Sequence, residues 1–128
     1  MNIMHDGKEI EFLIVDSSEL MRDRLKLILD DSELFGEIHL AANPESALKI
    51  FREFDPAFVV MNVKLGDITG TSVLRKMKSI NRKVVIVMIA ALSFDKYRQV
   101  CLDSGADYFM NSTEDFETLP SLCIKLAS

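Results

Sequence analysis

The chain is short of several things, and each shortage closes off a class of function. It has no surplus of positive charge: 15 Lys and Arg stand against 20 Asp and Glu, for a formal net charge of −5. A surface of that sign has no electrostatic grip on a nucleic acid backbone or an anionic membrane, so neither is expected as a partner. No apolar run approaches the roughly 20 residues that cross a bilayer. The opening stretch, Met1-Asn2-Ile3-Met4-His5-Asp6-Gly7-Lys8, is polar and lacks the apolar centre of a secretory signal. Cysteine is scarce too. Cys101 and Cys123 are the two present, with no Cys-x-x-Cys pair and no neighbouring His. They read as buried thiols in a reducing cytoplasm, not as a disulfide or a metal site. His5 and His39 are isolated, and neither reads as a ligand. There is no internal repeat and no low-complexity segment.

What is present fits one globular domain: 128 residues, 48% of them hydrophobic. Residues 1–8 read as a flexible lead-in and residues 9–128 as the domain. Ile10-Glu11-Phe12-Leu13-Ile14-Val15-Asp16 is apolar and β-branched before it ends on an acid, so it reads as a buried strand. Ser17-Ser18 caps a helix with Glu19 in its first turn, and Met21, Leu25 and Ile28 form its buried stripe. Ile38 to Ala42 is a second strand. Asn43-Pro44 opens a second helix, packed through Ala47, Leu48 and Phe51, and Asp55-Pro56 breaks it.

The stretch around which the rest is organised is Phe58-Val59-Val60-Met61-Asn62-Val63-Lys64-Leu65-Gly66-Asp67-Ile68-Thr69-Gly70. A short apolar run ends on a single Asn, a glycine-flanked loop follows, and helical spacing resumes at Val73 and Leu74, with Met77 beyond. That pattern is a buried strand delivering Asn62 to its C-terminal end, where open α/β sheets place their chemistry. The same Asn also suits a buried amide that satisfies its own turn. Val84 to Ile89 is a fourth strand. A fourth helix carries Phe94, Tyr97 and Cys101 and stops at Ser104-Gly105. Ala106 to Met110 is a fifth strand. A last helix follows with Phe116, Leu119, Cys123 and Leu126 on one stripe, Pro120 in its first turn and Thr118 as its cap. Strand and helix thus alternate five times, which predicts a doubly wound five-stranded parallel sheet with five helices.

In such a sheet Asp16, Asn62, Ala90 and Asn111-Ser112 come from four strands to one edge. With Phe12-Leu13-Ile14-Val15-Asp16 and the following Arg22, the Asn62-to-Gly70 loop, and Gly105-Ala106-Asp107-Tyr108-Phe109, the chain resembles the CheY-like receiver domain of two-component response regulators. The resemblance covers nearly the whole chain and implies a flavodoxin-like fold and a cytoplasmic role in phosphorelay signalling. It also implies a phosphoryl acceptor Asp ending the third strand and two adjacent acids after the first that help to hold Mg²⁺. A hydroxyl after the fourth strand and a Lys after the fifth would then grip the phosphoryl group.

This chain departs from that pattern at nearly every point. The acceptor position is Asn62, and the acid pair is Asp16-Ser17. The hydroxyl position, counted back from Gly105, is Ala90, and the Lys position is Ser112, followed by Thr113. The losses belong together physically. An amide nitrogen has its lone pair tied up in resonance and cannot attack phosphorus as a carboxylate does. One carboxylate makes at best a weak Mg²⁺ site, so the ion is expected absent or weakly bound and no cofactor is expected. Without an acyl phosphate, a Lys has no phosphoryl oxygen to bind. The chain therefore reads as a degenerate pseudo-receiver that is not an enzyme.

The remaining candidates have plain readings beside the functional ones. Glu19 reads as a dipole partner of its helix in preference to a substitute acid. Ser17 and Ser112 lack a nearby His, so capping or hydrogen bonding suits them better than nucleophilic attack. Phe109 falls at the receiver's switching aromatic and equally suits plain core. The expected partner is another signalling protein or a second copy of the chain. By the resemblance, it meets the fourth helix, fifth strand and fifth helix, where Lys96, Tyr97, Arg98, Asp107, Tyr108 and Asn111 form a mixed-charge patch. Two alternatives stay open: a receiver phosphorylated elsewhere, such as at Asp67, and a small flavodoxin-like cofactor binder. The second would need a phosphate loop after the first strand, and Glu19 would repel phosphate there.

Overall fold

The computed structural model describes residues 4–5, 8–91, 96–111 and 116–127. Every residue of β1 (Phe12–Val15) is buried, since both faces of the sheet are covered there, and the strand has a parallel neighbour on each side. Those neighbours are β2 (Ile38–Ala41) and β3 (Phe58–Asn62). β4 (Val85–Ala90) pairs with the other side of β3, and β5 (Tyr108–Asn111) with β4, giving the parallel order β2-β1-β3-β4-β5. The strands alternate with α1 (Glu19–Ser32), α2 (Pro44–Phe54), α3 (Gly70–Ile80), α4 (Arg98–Asp103) and α5 (Leu119–Ala127). This is the doubly wound fold that the alternation predicts.

Side chains in a strand point alternately to its two faces, so the continuous apolar runs feed two separate cores. Leu13, Val15, Val59, Met61, Ile86 and Met88 face Ala47, Phe51, Val73, Leu74, Met77 and Cys101, which α2, α3 and α4 supply. Phe12, Ile14, Phe58, Val60, Val87 and Ile89 face Leu25, Leu29, Leu119 and Cys123 from α1 and α5. The Phe12 ring stacks on Phe58 at 5.8 Å and meets Phe35 edge-on at 5.3 Å, which anchors the second layer. The two thiols therefore lie on opposite faces of the sheet and cannot form a disulfide with each other. Both are buried and free. Burial pushes the Cys101 thiol up, and Cys123 up to about 12.

Local chemistry sets the helix starts. Ser18 Oγ accepts from the Met21 N–H at 3.2 Å, and Asn43 Oδ1 accepts from the Ser46 N–H at 2.9 Å just ahead of Pro44. Among the described residues no helix is long and apolar enough to cross a membrane.

The structure departs from the sequence expectation in four places. The stretch expected as a flexible lead-in includes a short antiparallel hairpin, Met4–His5 against Lys8–Glu9. The loop after Asn62 folds back as a second hairpin, Lys64–Leu65 against Ile68–Thr69, turned by Gly66 at φ 63°. The helix predicted through Phe94, Tyr97 and Cys101 starts only at Arg98, with Tyr97 at its N-cap; Phe94 lies outside the described residues. Phe116 and Thr118 belong to a 3₁₀ turn (Phe116–Thr118) ahead of α5, so Thr118 sits in that turn, while Pro120 is in the first turn of α5 as expected.

Candidate functional site

The ends of β1, β3, β4 and β5 meet at one edge of the sheet. Asp16 follows β1 and is 3% exposed, although it is a carboxylate. Its burial is matched by partners. Oδ1 accepts the Ser18 N–H at 2.9 Å, and Oδ2 accepts from Asn62 Nδ2 at 3.1 Å. Its main-chain carbonyl accepts from Arg22 Nη1 at 2.7 Å, and its N–H donates to Ala41 O at 3.1 Å. The other end of the Asn62 amide is also engaged: Oδ1 accepts the Lys64 N–H at 2.9 Å. Asn62 thus joins Asp16 with its donor end and closes its own turn with its acceptor end. The turn expected of this Asn is present, and its amide reaches the Asp16 carboxylate as well.

Ala90, expected from the resemblance at the hydroxyl position, ends β4 beside Asn111 and is 1% exposed. Ser17 is exposed on the surface beyond Asp16. Ser112 lies outside the described residues. Phe109, at 2% exposure, points into the α2–α3–α4 core layer, against which Tyr97 also packs. A groove of about 180 Å³ opens beside the site, between the Lys64–Thr69 hairpin and Tyr97. Asp67 stands exposed on its rim.

The six residues expected to form a partner face differ in exposure. Lys96 is exposed and Tyr108 is 37% exposed, while Tyr97 and Arg98 are half-buried. Asn111 is buried at 6%, because it ends β5 beside Ala90, inside the sheet edge. Asp107 is exposed, and its carboxylate also bonds within the chain: Oδ2 accepts both the Ile86 N–H and Lys78 Nζ at 2.8 Å, and Lys78 Nζ also reaches Val84 O. The acid of the Gly105-Ala106-Asp107 turn therefore ties the start of β5 to β4 and α3. Its place just ahead of a buried strand is the one sequence signal for that role.

A family profile described as response regulator receiver domain matches residues 12–123. The chain belongs to that family. The receiver is a module of two-component signal transduction, a class that interacts with other signalling proteins. It is 27% identical over 101 residues to the chemotaxis protein CheY of Halobacterium salinarum, covering 78% of this chain and 82% of that protein. It is 27% identical over 113 residues to a protein-glutamate methylesterase/protein-glutamine glutaminase of Treponema denticola, covering 87% of this chain but 30% of that protein. The receiver thus spans about a third of the methylesterase relatives it matches. Among solved structures, a CheY-like receiver domain protein from Methanospirillum hungatei has the same fold, with a TM-score of 0.82 at 22% identity, covering 93% of this chain and 94% of that one.

Proposed function

We propose that this receiver is a pseudo-receiver: it works without phosphorylation, as a cytoplasmic module that acts by binding a signalling partner and catalyses no reaction of its own. The observation that carries this reading is the closed hydrogen-bond circuit of Asn62, with its amide on Asp16 and its carbonyl on the Lys64 N–H. A phosphoryl acceptor needs a free carboxylate oxygen, and position 62 offers a neutral amide whose two ends are both in use. Mg²⁺ fits poorly as well. Asp16 is the single acid of the pair, and each of its oxygens already accepts a hydrogen bond. Ala90 has no oxygen with which to hold a phosphoryl group.

Acetyl phosphate with Mg²⁺ is therefore expected to leave the intact mass unchanged, as read by mass spectrometry of the whole protein. A stable gain of one phosphoryl group overturns the reading, and its loss on Asp67→Ala would locate the acceptor at that exposed acid.

The partner is another signalling protein or a second copy of the receiver, and the surface proposed for it lies around Tyr108. This ring is 37% exposed on edge strand β5, with Lys96 near the start of α4 and Val100 exposed on that helix. An exposed aromatic on an edge strand is a typical interface anchor. Tyr108→Ala should leave the melting curve nearly unchanged and weaken association at least about tenfold. Sedimentation of the receiver alone reads self-association, and titration against an identified partner reads the rest. Undiminished association in both assays moves the interface elsewhere.

A further inference from the structure

Phe109 is held from two sides. Its ring sits in the core layer at 2% exposure, and Arg98 covers it from α4. The guanidinium Cζ lies 4.7 Å from the ring centroid, and Nη1 donates to the Phe109 carbonyl at 3.3 Å. A guanidinium over an aromatic face is attracted by the ring's quadrupole, and its planar fork lets an N–H reach the adjoining main chain. One side chain thus grips both the ring and the backbone of one residue. Arg98 is also the first residue of α4, where the helix dipole disfavours a cation. Its contacts with Phe109 offset that disadvantage and tie the start of the helix to edge strand β5.

We propose that Arg98 is a latch: it fixes Phe109 inward and so holds the α4–β5 face in one conformation. To swing outward, the ring would have to leave the core and the guanidinium, which the hydrogen bond to the Phe109 carbonyl holds over it. Beside the core packing, Arg98 holds the ring in place as a positioning residue outside the Asp16–Asn62 site. This rests on the phosphorylation-free reading above for its meaning, but its test does not depend on it.

The test is amide hydrogen exchange on the whole chain, comparing the native protein with Arg98→Ala and Arg98→Lys. Arg98→Ala should speed exchange in Tyr108–Asn111 and α4 about tenfold, while Ile14 and Val60 in the central strands keep their native rates. Arg98→Lys keeps the charge without the planar fork, so it should give a smaller rise confined to the same segments. Unchanged exchange in β5 and α4 overturns the latch. So does an equal rise in the central strands, which marks general destabilisation. If Arg98→Ala does not fold, Arg98→Lys decides between the same outcomes. Phosphorylation of the native protein would refute the phosphorylation-free reading and leave the exchange result standing.

Discussion

Asn62→Asp should destabilise the receiver by about 3 kcal/mol at pH 8 and by clearly less at pH 5. In the native protein Asn62 Nδ2 donates to Asp16 Oδ2 at 3.1 Å. The substitution replaces that donor with an acceptor and removes a hydrogen bond to a charged group worth about 1.5–3 kcal/mol. It also brings two carboxylates together. At ~4 Å and an effective dielectric of 20 they repel by roughly 4 kcal/mol, part of which side-chain rotation relieves. Such a pair titrates as a unit and holds one proton to a higher pH than the same groups do in the unfolded chain. For an acid shifted upward in the folded state, the penalty is full at high pH and shrinks as pH falls through the raised value. Denaturant melts of both proteins at pH 5 and pH 8 measure the difference. An equal deficit at the two pH values would mean that the two carboxyl groups do not interact. On the pseudo-receiver reading proposed above, the substitution supplies an acceptor carboxylate while Ser17 and Ala90 still supply neither a second acid nor a hydroxyl. Stability should fall with no gain in phosphorylation.

Gly70→Ala should cost about 2 kcal/mol and disturb the same site from behind. A Cβ at this position would stand 2.5 Å from the Asn62 carbonyl oxygen, 3.1 Å from Met88 Cε and 3.4 Å from the Val63 carbonyl. The end of Met88 can move aside, being flexible. The carbonyl of Asn62 cannot do so cheaply. It belongs to the last residue of β3, and the next N–H, on Val63, donates to Ile89 O at 2.8 Å. Gly70 itself donates to Val63 O, which draws the two chain segments still closer. Ala is the better helix former by up to about 1 kcal/mol, a gain too small to offset overpacking of about 1–3 kcal/mol against main chain. Guanidinium melts would show the loss as a lower midpoint with an unchanged slope. A Gly70→Ala protein as stable as the native one would mean that the hairpin from Lys64 to Thr69 backs away freely.

Both predictions start from residues whose positions are legible in the amino-acid sequence. A strand covered on both faces needs an unbroken apolar run, so Phe58-Val59-Val60-Met61 announces itself, and the first polar residue after it marks the sheet edge. The same logic places Asp16 after β1. The caps at Ser18 and Asn43 are equally legible, since a side-chain oxygen reaching an N–H a few residues on is a local matter. Strand limits are less so. Ile10 to Asp16 is apolar enough to read as strand throughout, yet the ladder runs from Phe12 to Val15, because the register with Ile38–Ala41 and Phe58–Met61 sets its ends. The short hairpins at Met4–Glu9 and Lys64–Thr69 have two residues per strand, too few to show any period.

The sequence by itself determined the order of five strand–helix units, the ends of β1 and β3 at Asp16 and Asn62, and the amide at position 62. Only the tertiary structure decided who meets whom there. Asn62 and Asp16 are 46 positions apart, and their contact depends on the register of β3 against β1. Asp107 is engaged with Lys78 and Ile86, and Asn111 is buried, because the docking of α3 and the pairing of β5 with β4 use them. Arg98 and Phe109 are 11 positions apart and meet because α4 packs beside β5, with the guanidinium over the ring. Periodicity encodes which face of an element is buried. The partner on that face is fixed by the summed packing of all five units, a quantity that no local window contains.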